Sequence, residues 1–188
     1  KIAGGYLADV VTKKGEALLA CGAFQPATND QTAEADRANR EALEKCPEKL
    51  SASSFQIKHK VRMAFGDEDF WKEASEDCFA CGNCNIVCPT CYCFDIQDEW
   101  NVDGASGARF RRWDACLTAE FSEVSIQGGT ENFRGKRFER FRHRIMRKTT
   151  FLNEKLGAPA CVGCGRCAGA CPADIADPAP LINRIMES

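Results

Sequence analysis

No stretch of this chain approaches the eighteen or so consecutive apolar residues of a membrane span. No secretory leader opens it, and position 1 is lysine, which reads as a processed, trimmed or partial polypeptide. Histidine occurs only twice, at His59 and His143, too few and too isolated for a catalytic role. There is no nucleophile–base pair, no phosphate loop and no dinucleotide fingerprint, and Gly4-Gly5 is far too little for a flavin site. β-branched residues are sparse, so evidence for strands is weak and the expected class is mainly α. These absences leave no place to transform a substrate.

Cysteine is abundant instead, with 13 in 188 residues. A secreted disulfide scaffold would be shorter and evenly stapled, and the count here is odd. Reduced thiols committed to metal, in a cytoplasm, fit better. Eight of them form two copies of one pattern: Cys78-x2-Cys81-x2-Cys84-x3-Cys88-Pro89 and Cys161-x2-Cys164-x2-Cys167-x3-Cys171-Pro172. Three thiolates at this spacing grip three irons of a cubane, and in two-cluster ferredoxins the fourth ligates the other cluster. The pattern therefore predicts two [4Fe–4S] clusters, one on Cys78, Cys81, Cys84 and Cys171, the other on Cys161, Cys164, Cys167 and Cys88. Gly82, Gly163 and Gly165 allow the sharp dihedrals of such loops. Structural zinc would take two C-x2-C pairs around one ion and has no use for a displaced fourth thiol.

Five cysteines remain. Cys91 and Cys93 are small buried apolar side chains or, in the functional reading, one of them is an alternative ligand or a donor near the cluster. Cys21, Cys46 and Cys116 read as small buried apolar side chains. The formal charge of −2 falls to about −6 once each four-thiolate site with a 2+ cubane adds −2.

Residues 1–28 read as an irregular arm or the remnant of a preceding domain, and residues 29–66 as a peripheral helix with a connection. The helix spans 30–46, capped by Asn29 or Thr32 and stopped by Pro47. Residues 67–188 form the dicluster domain. Asp67 caps a helix that brings Phe70, Trp71, Ala74 and Cys78 to one face and delivers Cys78 directly. Between the motifs lie 72 residues, with turns at Asp103-Gly104 and Gly128-Gly129 and a helix expected over Arg109–Ser122. Phe138, Phe141, Ile145 and Leu152 make one helical stripe within 132–154. A last helix covers Ala179–Met186. The run Arg134–Lys148 holds eight Lys/Arg against Glu139. It offsets cluster charge, docks a redox partner, or is a solvated face; a nucleic-acid face is the remaining alternative.

Cys78-Phe-Ala-Cys-Gly-Asn-Cys-Asn-Ile-Val-Cys-Pro-Thr-Cys-Tyr-Cys-Phe-Asp95, Arg112-Trp-Asp-Ala-Cys116, Arg140-Phe-Arg-His-Arg144 and Ala160-Cys-Val-Gly-Cys-Gly-Arg-Cys167 resemble a known family. Its members are the dicluster iron–sulfur subunit of cytosolic NiFe hydrogenases (sulfhydrogenase beta subunit) and the corresponding iron–sulfur subunit of anaerobic sulfite reductases. The resemblance covers roughly residues 67–178; residues 1–66 match loosely, around Val10–Leu19. It implies an α-helical ferredoxin-like fold and the eight ligands above. It also implies a place in a complex, passing electrons between a flavin (NAD(P)-linked) subunit and a catalytic metal subunit. Cys21 and Cys46 depart from the family's pattern. The expected function is an electron relay without catalysis of its own. The alternatives are cluster-based disulfide or sulfur reduction, and a structural or sensory iron–sulfur protein on nucleic acid.

Overall fold

The computed structural model describes residues 2–46 and 50–188. The helix stop expected at Pro47 lies outside the described residues. The chain divides into two compact units, residues 1–48 and 49–188.

In the first unit, α1 (Lys13–Leu19) starts at Thr12, whose hydroxyl accepts the Gly15 N–H. The stretch expected to be irregular thus contains a helix. α2 (Asn29–Glu44) is capped by Thr28, one residue before the expected Asn29. The Thr28 hydroxyl accepts from the Gln31 N–H, and the Gln31 side chain accepts the Thr28 N–H at 2.9 Å. Neither helix buries a residue, in keeping with the thin apolar side of α2. Cys21 and Cys46, expected to be buried, are exposed. Each thiol donates at 3.3 Å to the carbonyl four residues back, Ala17 and Ala42, so the helix end takes up a polar atom that no core is there to cover.

In the second unit, α3 (Ser54–Met63) opens on a Ser53/Gln56 capping box and buries Ile57 and Val61, one turn apart. α4 (Glu68–Ala74) is capped by Asp67, which accepts the Phe70 N–H at 3.0 Å, and its first turn is acidic, as the helix dipole favours. Trp71 is fully buried, and its indole N–H donates to the Ala64 carbonyl at 2.7 Å. α6 (Arg137–Met146) runs into a π turn (Arg147–Phe151), a short α7 (Asn153–Leu156) follows, and α9 (Pro178–Glu187) closes the chain. Phe138, Phe141, Ile145 and Leu152 are all buried. The core joins Ile57 and Val61 of α3, Trp71 of α4, the α6 stripe, and Ile182 and Ile185 of α9 around Leu117, Cys78 and Cys84.

A mainly α class does not describe this chain. The segment between the motifs forms two antiparallel hairpins, β1 (Phe94–Trp100) with β2 (Gly107–Trp113), and β3 (Glu123–Ile126) with β4 (Gly129–Asn132). The helix expected over Arg109–Ser122 is strand β2 followed by a turn. The turns at Asp103-Gly104 and Gly128-Gly129 close the hairpins, with Gly104 at φ +63° and Gly128 at φ +92°. The strands of the first hairpin are exposed on both faces, so they show no alternation of buried and polar positions. They are held by cross-strand pairs: Arg109 grips Asp98 with two hydrogen bonds (2.6 and 2.8 Å), and Arg112 reaches Glu99 at 3.2 Å.

Candidate metal centre

The two motifs fold the same way. Each loop passes through positive φ two residues after its first cysteine, at Ala80 (φ +54°) and Gly163 (φ +65°), and again just after its second, at Gly82 (φ +78°) and Gly165 (φ +72°). A one-turn helix then carries the third cysteine: α5 (Asn83–Ile86) holds Cys84, and α8 (Arg166–Gly169) holds Cys167. The turn closes on Cys88 N–H to Asn85 O in one copy and Cys171 N–H to Ala168 O in the other, both at 3.2 Å. α5 and α8 pack against each other. Gly82 has a second reason to be glycine: a Cβ there would lie 2.5 Å from the Ala115 Cβ.

Cys78 is not on α4, contrary to the face pattern. The helix ends at Ala74, and a turn closed by Cys78 N–H to Ser75 O (3.0 Å) delivers the thiol. Ser75 and Trp71 beneath it are buried, so the ligand loop rests on a rigid floor.

The first set of four thiols meets. Cys78, Cys81 and Cys84 of the first motif line one open cavity with Cys171 of the second, walled by Leu117, Phe141 and Ile175. Among the described residues no group of three His, Cys, Asp or Glu side chains is placed to hold a metal ion; as a donor set, four thiols lining one space fit an iron–sulfur cluster. Burial pushes the thiol of Cys78 up, and that of Cys84 to about 11, against the opposing charge of Arg144. Such thiols become ligands only when metal displaces their protons.

For the second set the link runs through Thr90. Its hydroxyl lies 3.4 Å from the Cys88 sulfur, donates to the carbonyl of Ala160, the residue before Cys161, and accepts from Lys148 at 2.7 Å. Burial raises the Cys88 thiol, but the Thr90 hydroxyl and N–H and the Lys148 charge outweigh it and bring it down to about 7. Cys161 and Cys164 are exposed and Cys167 half-buried. The two loops thus differ in depth: Cys78 and Cys84 are buried with Cys81 exposed, whereas in the second loop Cys161 and Cys164 are both exposed and none of the three is buried.

The basic run is divided: Lys136 and Arg137 are exposed, and Arg134, Arg142 and Arg147 are half-buried. Arg140, Arg144 and Lys148 are buried. Arg140 donates to the carbonyls of Leu117, Arg134 and Gly135. Arg144 donates to Ala176 O at 3.1 Å, and its charge acts on Cys84 and Cys167, one thiol from each motif. His143 is half-buried, and burial, then Arg134 and Arg147, hold it down at about 4.

Arg144 and Thr90 reach the cysteines across the fold, so spacing in the sequence does not show those contacts.

Residues 77–175 match the family model described as 4Fe-4S dicluster domain. Over 105 residues the chain is 46% identical to the sulfhydrogenase 2 subunit beta of Pyrococcus furiosus, a match covering 56% of this chain and 30% of that protein. The chain thus spans about a third of that relative. No solved structure matches it.

Proposed function

Because the chain belongs to the 4Fe–4S dicluster domain family, and so is an iron–sulfur electron-transfer protein with two [4Fe–4S] clusters, we propose that it relays electrons within an oxidoreductase complex of the cytoplasm. The donor side is a flavin-bearing, NAD(P)-linked subunit and the acceptor side a catalytic subunit with its own metal. The likeness to a sulfhydrogenase beta subunit supports a hydrogenase-type complex. The chain itself contributes no catalytic residue.

Cys78, Cys81, Cys84 and Cys171 hold one cluster, and Cys161, Cys164, Cys167 and Cys88 the other. The observation that carries this reading is the cavity where three thiols of the first motif meet the fourth thiol of the second. Exchanged fourth ligands hold the two sites side by side, as a relay needs. When bound, each cluster supplies a one-electron couple, with potentials that range over about −700 to +450 mV among proteins. Arg144 places a buried positive charge beside thiols of both motifs, and Lys148 does so beside Cys88. Both offset the negative charge that thiolates bring into the core. The exposed second loop is the side from which an external donor or acceptor reaches the relay.

The test is a set of four variants, Cys81→Ser, Cys164→Ser, Cys171→Ser and Cys88→Ser, prepared anaerobically. Cys171→Ser should reproduce the electron paramagnetic resonance spectrum of Cys81→Ser, and Cys88→Ser that of Cys164→Ser. The opposite pairing would show each motif using its own fourth cysteine. Mass spectrometry of the intact complex identifies the neighbours; a complex lacking a flavin subunit would remove the proposed donor.

A further inference from the structure

With eight cysteines assigned to two clusters, Cys91, Cys93 and Cys116 remain, and the fold brings all three together. The Asp114 N–H donates to the Cys93 carbonyl at 3.0 Å, extending the β1–β2 ladder by one step and folding Cys116 back over the Cys91–Cys93 turn. The three thiols line one cavity. Asn85, 3% exposed, points its amide nitrogen at two of them, 3.1 Å from the Cys116 sulfur and 3.6 Å from that of Cys91. The Cys116 thiol and N–H both reach the Cys93 sulfur, which lowers the Cys93 thiol while that contact and burial raise Cys116.

An independent observation concerns the opposite wall. Arg144, Arg147 and Lys148 line the same cavity, and Arg144 is 4% exposed with Nε and Nη1 lacking any hydrogen-bond partner among the described residues. Cys84 and Cys167 act on its charge, but the two idle N–H atoms of this buried guanidinium still lack an acceptor, which is costly. An anionic group in the cavity supplies one.

We propose that this cavity is a third metal centre, in which Cys91, Cys93 and Cys116 hold an iron–sulfur cluster, Arg144, Arg147 and Lys148 balance its charge, and Asn85 donates to its sulfur. The Asn85 amide reaches the sulfurs of both Cys116 and Cys91. The trio supplies three thiolates, so one iron takes a ligand from outside it. The proposal does not depend on the identity of the relay's partners.

The experiment measures iron and acid-labile sulfide per chain in the anaerobically purified full chain and in Cys91→Ala/Cys93→Ala/Cys116→Ala. The triple variant should lose about four irons, with a matching loss of one Mössbauer component. Because Cys116 is buried, Cys93→Ser alone is the second variant; it keeps the packing and should lose or alter the same component. Cys81→Ser is the reference, and the component it removes should be a different one. Unchanged iron and an unchanged spectrum in both trio variants overturn the proposal. So does zinc in place of the lost irons, or a Cys93–Cys116 disulfide recovered after anaerobic alkylation.

Discussion

At the scale of single residues, backbone conformation carries as much as the thiols. Ala80 sits at φ +54° where the second motif has Gly163 at φ +65°. A non-glycine residue loses about 1–2 kcal/mol there. Ala80→Gly should therefore leave cluster content intact and not lower the midpoint of thermal unfolding. Gly82→Ala should do the reverse. It adds the same penalty and forces a Cβ to 2.5 Å from Ala115, and it should cost the first cluster, read as lost iron and lost absorbance near the charge-transfer bands. A variant that loads normally would mean that the loop does not need this φ.

His143 makes a pH prediction at the same scale. Burial, then Arg134 and Arg147, hold its folded value at about 4, below the unfolded value of about 6.5. Between those values the unfolded chain binds a proton that the folded chain does not. The stabilising contribution of neutral His143 is therefore complete above about pH 6.5 and is lost as pH falls toward 4. His143→Gln should flatten the fall in denaturant midpoint between pH 6.5 and 5. An unaltered slope would place the acid sensitivity elsewhere.

At the scale of elements, the π turn at Arg147–Phe151 holds the centre together. It follows α6 and places Lys148, Thr149 and Thr150 inside the core; π turns inserted in helices often mark functional sites. Lys148 reaches Thr90 at one end, and its carbonyl accepts the Ala160 N–H at 2.8 Å at the other. Thr90→Val removes the hydroxyl that joins Cys88, Lys148 and Ala160. The second-motif cluster should then be lost faster on chelator challenge, by roughly the tenfold that about 1.4 kcal/mol of lost hydrogen bonding allows. Equal loss rates for wild type and variant would show the Thr90 link to be incidental. The first hairpin is different. The Arg109–Asp98 pair is largely exposed, so Asp98→Ala should change stability by less than about 1 kcal/mol and leave iron content unchanged.

At the scale of the whole molecule, the two halves of the relay differ in access. Cys161 and Cys164 are exposed, while Cys78 and Cys84 are buried. A small charged oxidant such as ferricyanide should bleach the second-motif cluster first, with Cys81→Ser keeping the fast phase and Cys164→Ser losing it. Loss of the fast phase in Cys81→Ser instead would put the entry point at the first motif. Reversal of Arg140 or Arg144, which a solvated face would tolerate, should prevent folding, because both lie in the core.

The cysteine pattern was legible because its spacing of two and three residues is local, and the loops repeat it in three dimensions; that Cys171 joins the first-motif thiols is decided by the fold. The cap at Asp67 and the stripe from Phe138 to Leu152 were legible for the same reason, since a helix relates residues three and four apart. The hairpins were not. Their strands bury nothing and alternate apolar and polar residues only in short pieces, such as Phe94-Asp95-Ile96-Gln97 and Val124-Ser125-Ile126, and they exist through pairings such as Asp98 with Arg109 that join residues eleven apart. Nor did sequence place Cys116 beside Cys93, or Arg144 between thiols of both motifs. The amino-acid order alone determined that this chain binds two iron–sulfur cubes. Only tertiary contact decided which charges and which spare thiols surround them, because burial and long-range electrostatics are properties of the folded chain.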